Sequence, residues 1–303
     1  MDRGTWKPDC GSYVVKNATF THLEMLYKTE IEEHKIDTFS VLVKREDKCC
    51  PPPGPPFSKV RGIMKHFEKL KDKGVEVVGY TETSISMAGW GVAWAAYQFG
   101  MLAVIFDPQY KDTPTLLEYH RRQWDQFDPV IIPIPAGRAK VNWYRSRKIL
   151  TDKYGPDAVL LPLGLPFPET IEETAREAEE VLKAFPVENL VINVGSGTIA
   201  AGVWKGAEAV KVPVCIQGIM GRTGSVELKM KQIREKSGVP SDGLLGSSAS
   251  SFVLIDPGWQ YTEKSLQPCP FPCHPYYDRK AWQWLVENVE EIPPPVLFWN
   301  IGK

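Results

Sequence analysis

Strand and helix patterns alternate from residue 38 to the end of the chain, and this predicts an α/β fold of parallel sheets covered by helices. Strand candidates such as Val130-Ile131-Ile132 are apolar throughout, as strands buried on both faces are. Two proline-rich stretches, 51–56 and Leu161–Pro168, interrupt the alternation where a chain would cross between domains. The expected architecture is therefore a two-domain, three-layer α/β/α protein. Residues 1–50 and 161–303 would form a large domain, with 51–160 a smaller domain inserted into it.

The elements follow in order. Thr38–Lys44 reads as a strand. Val60, Ile63, Met64, Phe67 and Leu70 fall at helical spacing, with Gly74 placed to end that helix. Val75–Gly79 is a short strand, Trp90–Phe99 a helix ended by Gly100, and Leu102–Phe106 a strand. Thr113 is expected to cap a helix reaching Phe127, followed by strand Val130–Pro133. A helix over Ala139–Tyr154 is closed by Gly155-Pro156, and Ala158–Leu161 is the next strand. The second half repeats the scheme, with helices at Glu169–Ala184, Thr198–Ala209, Ser225–Lys236 and Arg279–Val289. Its strands are Asn189–Val194, Val212–Ile219, Phe252–Ile255 and Val296–Trp299.

With 303 residues and 43% hydrophobic content the chain can bury a substantial core. A net charge of −1 gives no electrostatic reason to expect nucleic acid or an anionic membrane as partner. Residues Met1–Asp9 lack the apolar core of a signal peptide, and no run of about 18 apolar residues follows, so a cytoplasmic protein is expected. The six cysteines make no disulfide framework. Cys10 and Cys215 stand alone and Cys49-Cys50 are neighbours in a proline turn. Cys269-Pro-Phe-Pro-Cys273-His274 lacks the second pair that a four-ligand zinc site needs, so no metal is expected.

Four segments carry chemistry. The first is Pro55-Pro56-Phe57-Ser58-Lys59-Val60-Arg61-Gly62, preceded by the charged run Lys44-Arg45-Glu46-Asp47. Proline fixes the backbone ahead of Lys59, and a lysine at a helix N-terminus feels a dipole that disfavours its ammonium form. Burial would lower its pKa further, towards the free amine that attacks carbonyls. The second is Val194-Gly195-Ser196-Gly197-Thr198-Ile199, between a β-branched strand and a helix. Its backbone N–H groups suit a single phosphate. The pattern is neither a dinucleotide fingerprint nor a Walker loop. The third is the hydroxyl-rich turn Thr81-Glu82-Thr83-Ser84-Ile85-Ser86-Met87, fit to hold a carboxylate. The fourth is Asp256-Pro257-Gly258-Trp259-Gln260-Tyr261-Thr262-Glu263-Lys264, which puts a phenol and a hydroxyl at the carboxyl end of a strand.

In this order, from about Ser40 onward, the four segments resemble the pyridoxal-phosphate enzymes of the tryptophan-synthase β-subunit type (fold type II). The 1-aminocyclopropane-1-carboxylate deaminase and D-cysteine desulfhydrase family is the subgroup most similar. The resemblance implies pyridoxal 5'-phosphate bound covalently to Lys59, with its phosphate on Gly195, Ser196, Gly197, Thr198 and Ile199. Tyr261 would lie over the reacting carbon and Thr262 would face the pyridine nitrogen. Ser84-Ile85-Ser86-Met87 stands where the family reads Gln-Ser-Asn-His. Ser86 therefore replaces the asparagine that bonds the cofactor's phenolic oxygen, and Ser84 would serve the substrate. Tyr261 lies two residues further from Asp256-Pro257 than the family pattern, and Asn300-Ile301-Gly302 replaces a closing Thr-Gly-Gly.

The activity so implied is a lyase or deaminase on a small amino acid, by α-proton removal and β-elimination, from a homodimer. A hydroxyl partner to the ring nitrogen suits a reaction whose leaving group departs promptly. The alternatives are β-replacement, a non-catalytic cofactor-binding protein, or a mononucleotide- or sugar-phosphate-binding protein without the lysine linkage.

Overall fold

The computed structural model describes residues 26–239 and 249–303. The expectations for Met1–Asp9, for Cys10 and for the first half of segment 1–50 lie outside the described residues. The chain builds two sheets. It enters through strand β1 (Ile31–Ile36) and returns along β2 (Phe39–Arg45), a hairpin turned at Asp37 with φ of 51°. The sequence reading passes over β1, because Glu32, Glu33, His34 and Lys35 hide its strand period. Such charges belong on an edge strand, which is where β1 lies.

The smaller sheet comes from the next stretch of chain. Helix α1 (Val60–Asp72) leads to β3 (Val77–Thr81), α2 (Ala88–Phe99), β4 (Leu102–Gln109) and α3 (Thr115–Trp124). Then follow β5 (Val130–Pro135), α4 (Ala139–Tyr154) and β6 (Val159–Leu160). These strands pair in parallel in the order β5-β4-β3-β6. Thr113 does not cap α3. Pro114 takes the cap position in extended backbone and its carbonyl accepts from Leu117 N–H at 2.9 Å.

The larger sheet is completed by α5 (Pro168–Ala184), β7 (Asn189–Val194), α6 (Thr198–Val210), β8 (Cys215–Met220) and α7 (Val226–Ser237). The chain ends through β9 (Ser251–Ile255), α8 (Asp278–Asn288) and β10 (Val296–Asn300). Strand order is β1-β2-β10-β7-β8-β9, parallel except at the β1–β2 hairpin. Strand β10 shows why helices must lie on both faces. Leu297 and Trp299 join one core cluster with Trp204 of α6 and Ile233 of α7, while Val296 and Phe298 join another with Trp282 and Leu285 of α8. No helix among the described residues is long and apolar enough to cross a membrane.

Helix α1 is set by close approach to α5. A Cβ on Gly62 would fall 2.3 Å from the Thr170 Cα, so only glycine lets the two backbones meet there. This contact fixes Lys59, three residues before Gly62, against the larger sheet. The loops following β3, β7, β8 and β10 converge on one cleft at the carboxyl ends of the strands.

Candidate active site

The cleft measures about 770 Å³ and is lined from both sheets. Lys59 is the N-cap of α1, one residue before the regular helix rather than inside it. Its Nζ donates to Gly164 O at 2.8 Å and to Ser196 Oγ at 3.3 Å. Burial pushes the Lys59 amine down to about 8; the charge of Lys236 adds to this, and Asp278 opposes it. Next to it, the Ser58 hydroxyl is buried with no partner.

The charged run ahead of Lys59 is no solvated turn. Lys44, Arg45, Glu46 and Asp47 are all buried. Arg61 Nη1 and Thr29 Oγ1 donate to the Glu46 carboxylate, and Lys44 lies 3.5 Å from it. Arg45 Nε donates to Asp47 Oδ1 at 2.8 Å, and Asn300 Nδ2 donates to the same oxygen at 3.0 Å. Arg61 thus ties the start of α1 to Glu46, ahead of the proline turn, and Asn300 ties Asp47 to the end of β10.

Gly195, Ser196 and Gly197 join β7 to α6, whose first two residues are Thr198 and Ile199. Gly197 is left-handed, with φ of 78°, and a Cβ there would meet Ile233 Cγ1 at 2.9 Å. Ala201 N–H makes the first helical bond, to Gly197 O at 3.0 Å, which leaves the N–H groups of Thr198, Ile199 and Ala200 without intrahelical acceptors. Two lysines of α7 brace the loop: Lys229 donates to Gly195 O at 3.0 Å and Lys236 to Ser196 O. Burial pushes the Lys236 amine down to about 8 and lowers that of Lys229. On the cleft wall, Asn193 Oδ1 is buried with no partner.

The hydroxyl turn after β3 faces this loop. Glu82 accepts from Thr83 N at 2.8 Å and from Gly89 N at 2.7 Å, so one carboxyl holds both ends of the turn. Burial raises the Glu82 carboxyl to about 8. Thr83, Ser84 and Ser86 line the cleft, and Ser86 Oγ accepts from Ala88 N at 3.0 Å. Ile85 is buried in the core and does not line the cleft.

Tyr261 reaches across, its hydroxyl 3.2 Å from Thr83 Oγ1 and 3.3 Å from that of Tyr277. Thr262 is exposed on the cleft wall. Sequence reasoning missed Tyr277 and Asp278, at the start of α8. Asp278 is buried at 2% exposure and lines the cleft, and its Oδ1 accepts from Ile301 N at 3.1 Å. Burial raises its carboxyl to about 7. The signal was present in the sequence: Pro275, Tyr277, Asp278 and Lys280 keep the proline-tyrosine-polar-lysine spacing without insertion, where Pro257 and Tyr261 need two extra residues. Lys280 donates to Gly221 O at 2.7 Å and to Gln260 O at 2.8 Å, which locks α8 against the other cleft loops.

These groups fit pyridoxal 5'-phosphate. A primary amine with a lowered pKa suits its aldehyde, and a glycine cradle that a Cβ would fill suits its phosphate. The partnerless Asn193 oxygen and the Asp278 carboxyl would offer polar contacts to its ring.

No family model matches the chain. A glycyl-dTMP PLP-dependent decarboxylase from Pseudomonas phage M6 is 37% identical over 287 residues, covering 91% of this chain and 98% of that protein. Among solved structures, an ACC deaminase homologue superposes with a TM-score of 0.75 at 18% identity, covering 94% of this chain and 92% of its own. O-ureido-L-serine synthase gives 0.65 at 15% identity, covering 93% and 90%. Threonine deaminase isoform 2 from Solanum lycopersicum gives 0.63 at 15% identity, covering 92% and 84%. At such identities the structures establish the fold. The phage relative establishes the family: the chain belongs to the pyridoxal-phosphate-dependent enzymes of fold type II, with the tryptophan-synthase β-like fold.

Proposed function

We propose that this enzyme is a decarboxylase for an amino acid carried on a larger anionic molecule, a glycyl-bearing thymidine nucleotide being the model substrate. The phage relative, which matches along nearly the whole chain, bears that activity in its name. Within the structure, the observation that carries the reading is Asp278, a buried acid where the sequence suggested a hydroxyl.

When the Cα–carboxyl bond breaks, carbon dioxide departs and an electron pair stays at Cα, with no β leaving group to take it. Bound pyridoxal phosphate supplies the electron sink for that pair. Asp278 would be the residue to hold the pyridine nitrogen, where a carboxylate would keep a proton that a neutral hydroxyl would not. Lys59 Nζ would hold the cofactor through its aldehyde, and the same amine is the group that would deliver a proton to Cα. The N–H groups of residues 198–200 would hold the phosphate, with Ser196 and Thr198 as hydroxyl donors. Thr83, Ser84 and Ser86 orient the substrate, and Tyr261 and Tyr277 cover it against water.

The test is product analysis with cofactor-loaded protein and glycyl-dTMP. Carbon dioxide and the corresponding amine are expected, without ammonia or a keto acid. A second reading, elimination from a small amino acid, is favoured by the hydroxyl of Thr262, which also lines the cleft. Release of ammonia and keto acid from cysteine or β-chloroalanine, with no carbon dioxide from glycyl-dTMP, would establish it instead.

A further inference from the structure

The positive charge along the cleft exceeds what one phosphate requires. Lys236 helps to depress Lys59, Lys229 helps to depress Lys236, and Arg222 helps to depress Lys229; of these, Lys59, Lys229 and Arg222 line the cleft. Lys229 and Lys236 are bonded to the carbonyls of the 195–197 loop and belong to the cofactor phosphate end. Arg222 is different. It is exposed on the cleft wall between β8 and α7, with its guanidinium 5.9 Å above the Tyr261 ring. Among the described residues it makes no ion pair. Asp256, which bonds the residues that follow Arg222, spends its oxygens on Thr223 Oγ1 at 2.8 Å, Gly224 N at 3.1 Å and Gly258 N at 2.9 Å. The Tyr261 ring stands between Arg222 and the Thr83 end of the cleft, where its hydroxyl is bonded.

We infer that Arg222, seated on Tyr261, is a specificity-determining residue that receives the phosphate of the substrate, at a distance from the reacting carbon. A guanidinium fork with no internal acid presents paired donors to a phosphate monoester. The aromatic face beneath it holds the cation in place without neutralising it. The Thr83, Ser84 and Ser86 hydroxyls are left for the amino-acid end. An amino acid without the phosphate would leave Arg222 unused, so the cleft favours the nucleotide-borne substrate over a free amino acid. This inference rests on the nucleotide reading proposed above.

Calorimetric titration of the cofactor-loaded protein with dTMP, thymidine and glycine tests it, on wild type, Arg222→Ala and Arg222→Lys. Wild type is expected to bind dTMP. Arg222→Ala should bind it at least tenfold more weakly and Arg222→Lys to an intermediate degree, while thymidine and glycine binding and cofactor affinity stay unchanged. Undiminished dTMP affinity in Arg222→Ala overturns the assignment while leaving the nucleotide reading standing. A parallel loss of cofactor affinity would place Arg222 in the cofactor's own phosphate site, and a parallel loss of glycine affinity would make it a carboxylate clamp; either overturns the inference. Failure of wild type to bind dTMP removes both this inference and the nucleotide reading.

Discussion

Lys59 Nζ and the carbonyl of Gly164 lie 2.8 Å apart, so the reactive amine is held by the segment that leaves the smaller sheet for the larger one. Gly164 has a φ of 77°, and a Cβ on it would meet Ser196 Cβ at 2.9 Å. Three stretches far apart in sequence, at residues 59, 164 and 196, therefore meet at one point. The amine is held against neutral oxygens only. Burial and the charge of Lys236 then lower its pKa, and only the more distant charge of Asp278, which makes no ion pair with it, opposes them.

The first expectation concerns pH. Below about 8 the Lys59 ammonium predominates, and above it the nucleophilic amine does. Capture of added cofactor, followed by the absorbance it acquires on the protein, should rise with pH through that midpoint and fall about tenfold per unit below it. Lys236→Gln removes a like charge, so the amine titrates higher and the midpoint moves to higher pH. A midpoint that stays fixed or moves down would refute the electrostatic argument.

Gly197→Val should weaken cofactor binding at least tenfold. Valine resists the left-handed backbone and its Cβ would strike Ile233. Each charge-assisted hydrogen bond so lost costs about 1.5–3 kcal/mol. Equilibrium dialysis against pyridoxal phosphate measures the change, with circular dichroism as the check on folding. A folded variant of unaltered affinity would show that the phosphate lies elsewhere.

Asp278→Asn separates two assignments of the ring-nitrogen partner. It keeps the size and loses the negative charge, so kcat should fall by about 10² as electrostatic support is removed. Thr262→Ala, at an exposed position, should stay within about 0.5 kcal/mol of wild type in stability and leave kcat nearly intact. The reverse pattern would restore Thr262 to the role that the sequence suggested.

Much of the scaffold is legible because it follows local rules. Helix α4 (Ala139–Tyr154) and strand β7 (Asn189–Val194) fall on their expected limits, since glycine stops the one and turns the other. Strand β1 is not legible: its pairing with β2 is decided by the partner and its charges disguise it. The Lys44–Asp47 run looks solvated in sequence, yet its charges satisfy one another and Arg61 inside the protein. Asp278 was passed over because Asp256-Pro257 matches the dipeptide better, although Pro275, Tyr277, Asp278 and Lys280 keep the spacing and Asp278 lines the cleft. Lys229 reaches the cleft through the packing of α7 on α6, and Arg222 through the loop after β8, which no local pattern reports.

That buried charge cluster makes a stability expectation. Glu46→Ala would leave Lys44 and Arg61 buried with half their compensation, and breaking such a group costs about 3–5 kcal/mol. Urea denaturation of the variant should show the loss, and cofactor capture should weaken with it because Arg61 anchors the start of α1. A change below about 1 kcal/mol would mean that water reaches the cluster.

Borohydride reduction of the cofactor-loaded protein, followed by peptide mass mapping, decides whether Lys59 carries the cofactor. The pyridoxyl mass is expected on Lys59 and on no other residue, and is expected to vanish in Lys59→Ala. A label on Lys229, Lys236 or any other lysine, or no label in protein that retains the cofactor, would contradict it.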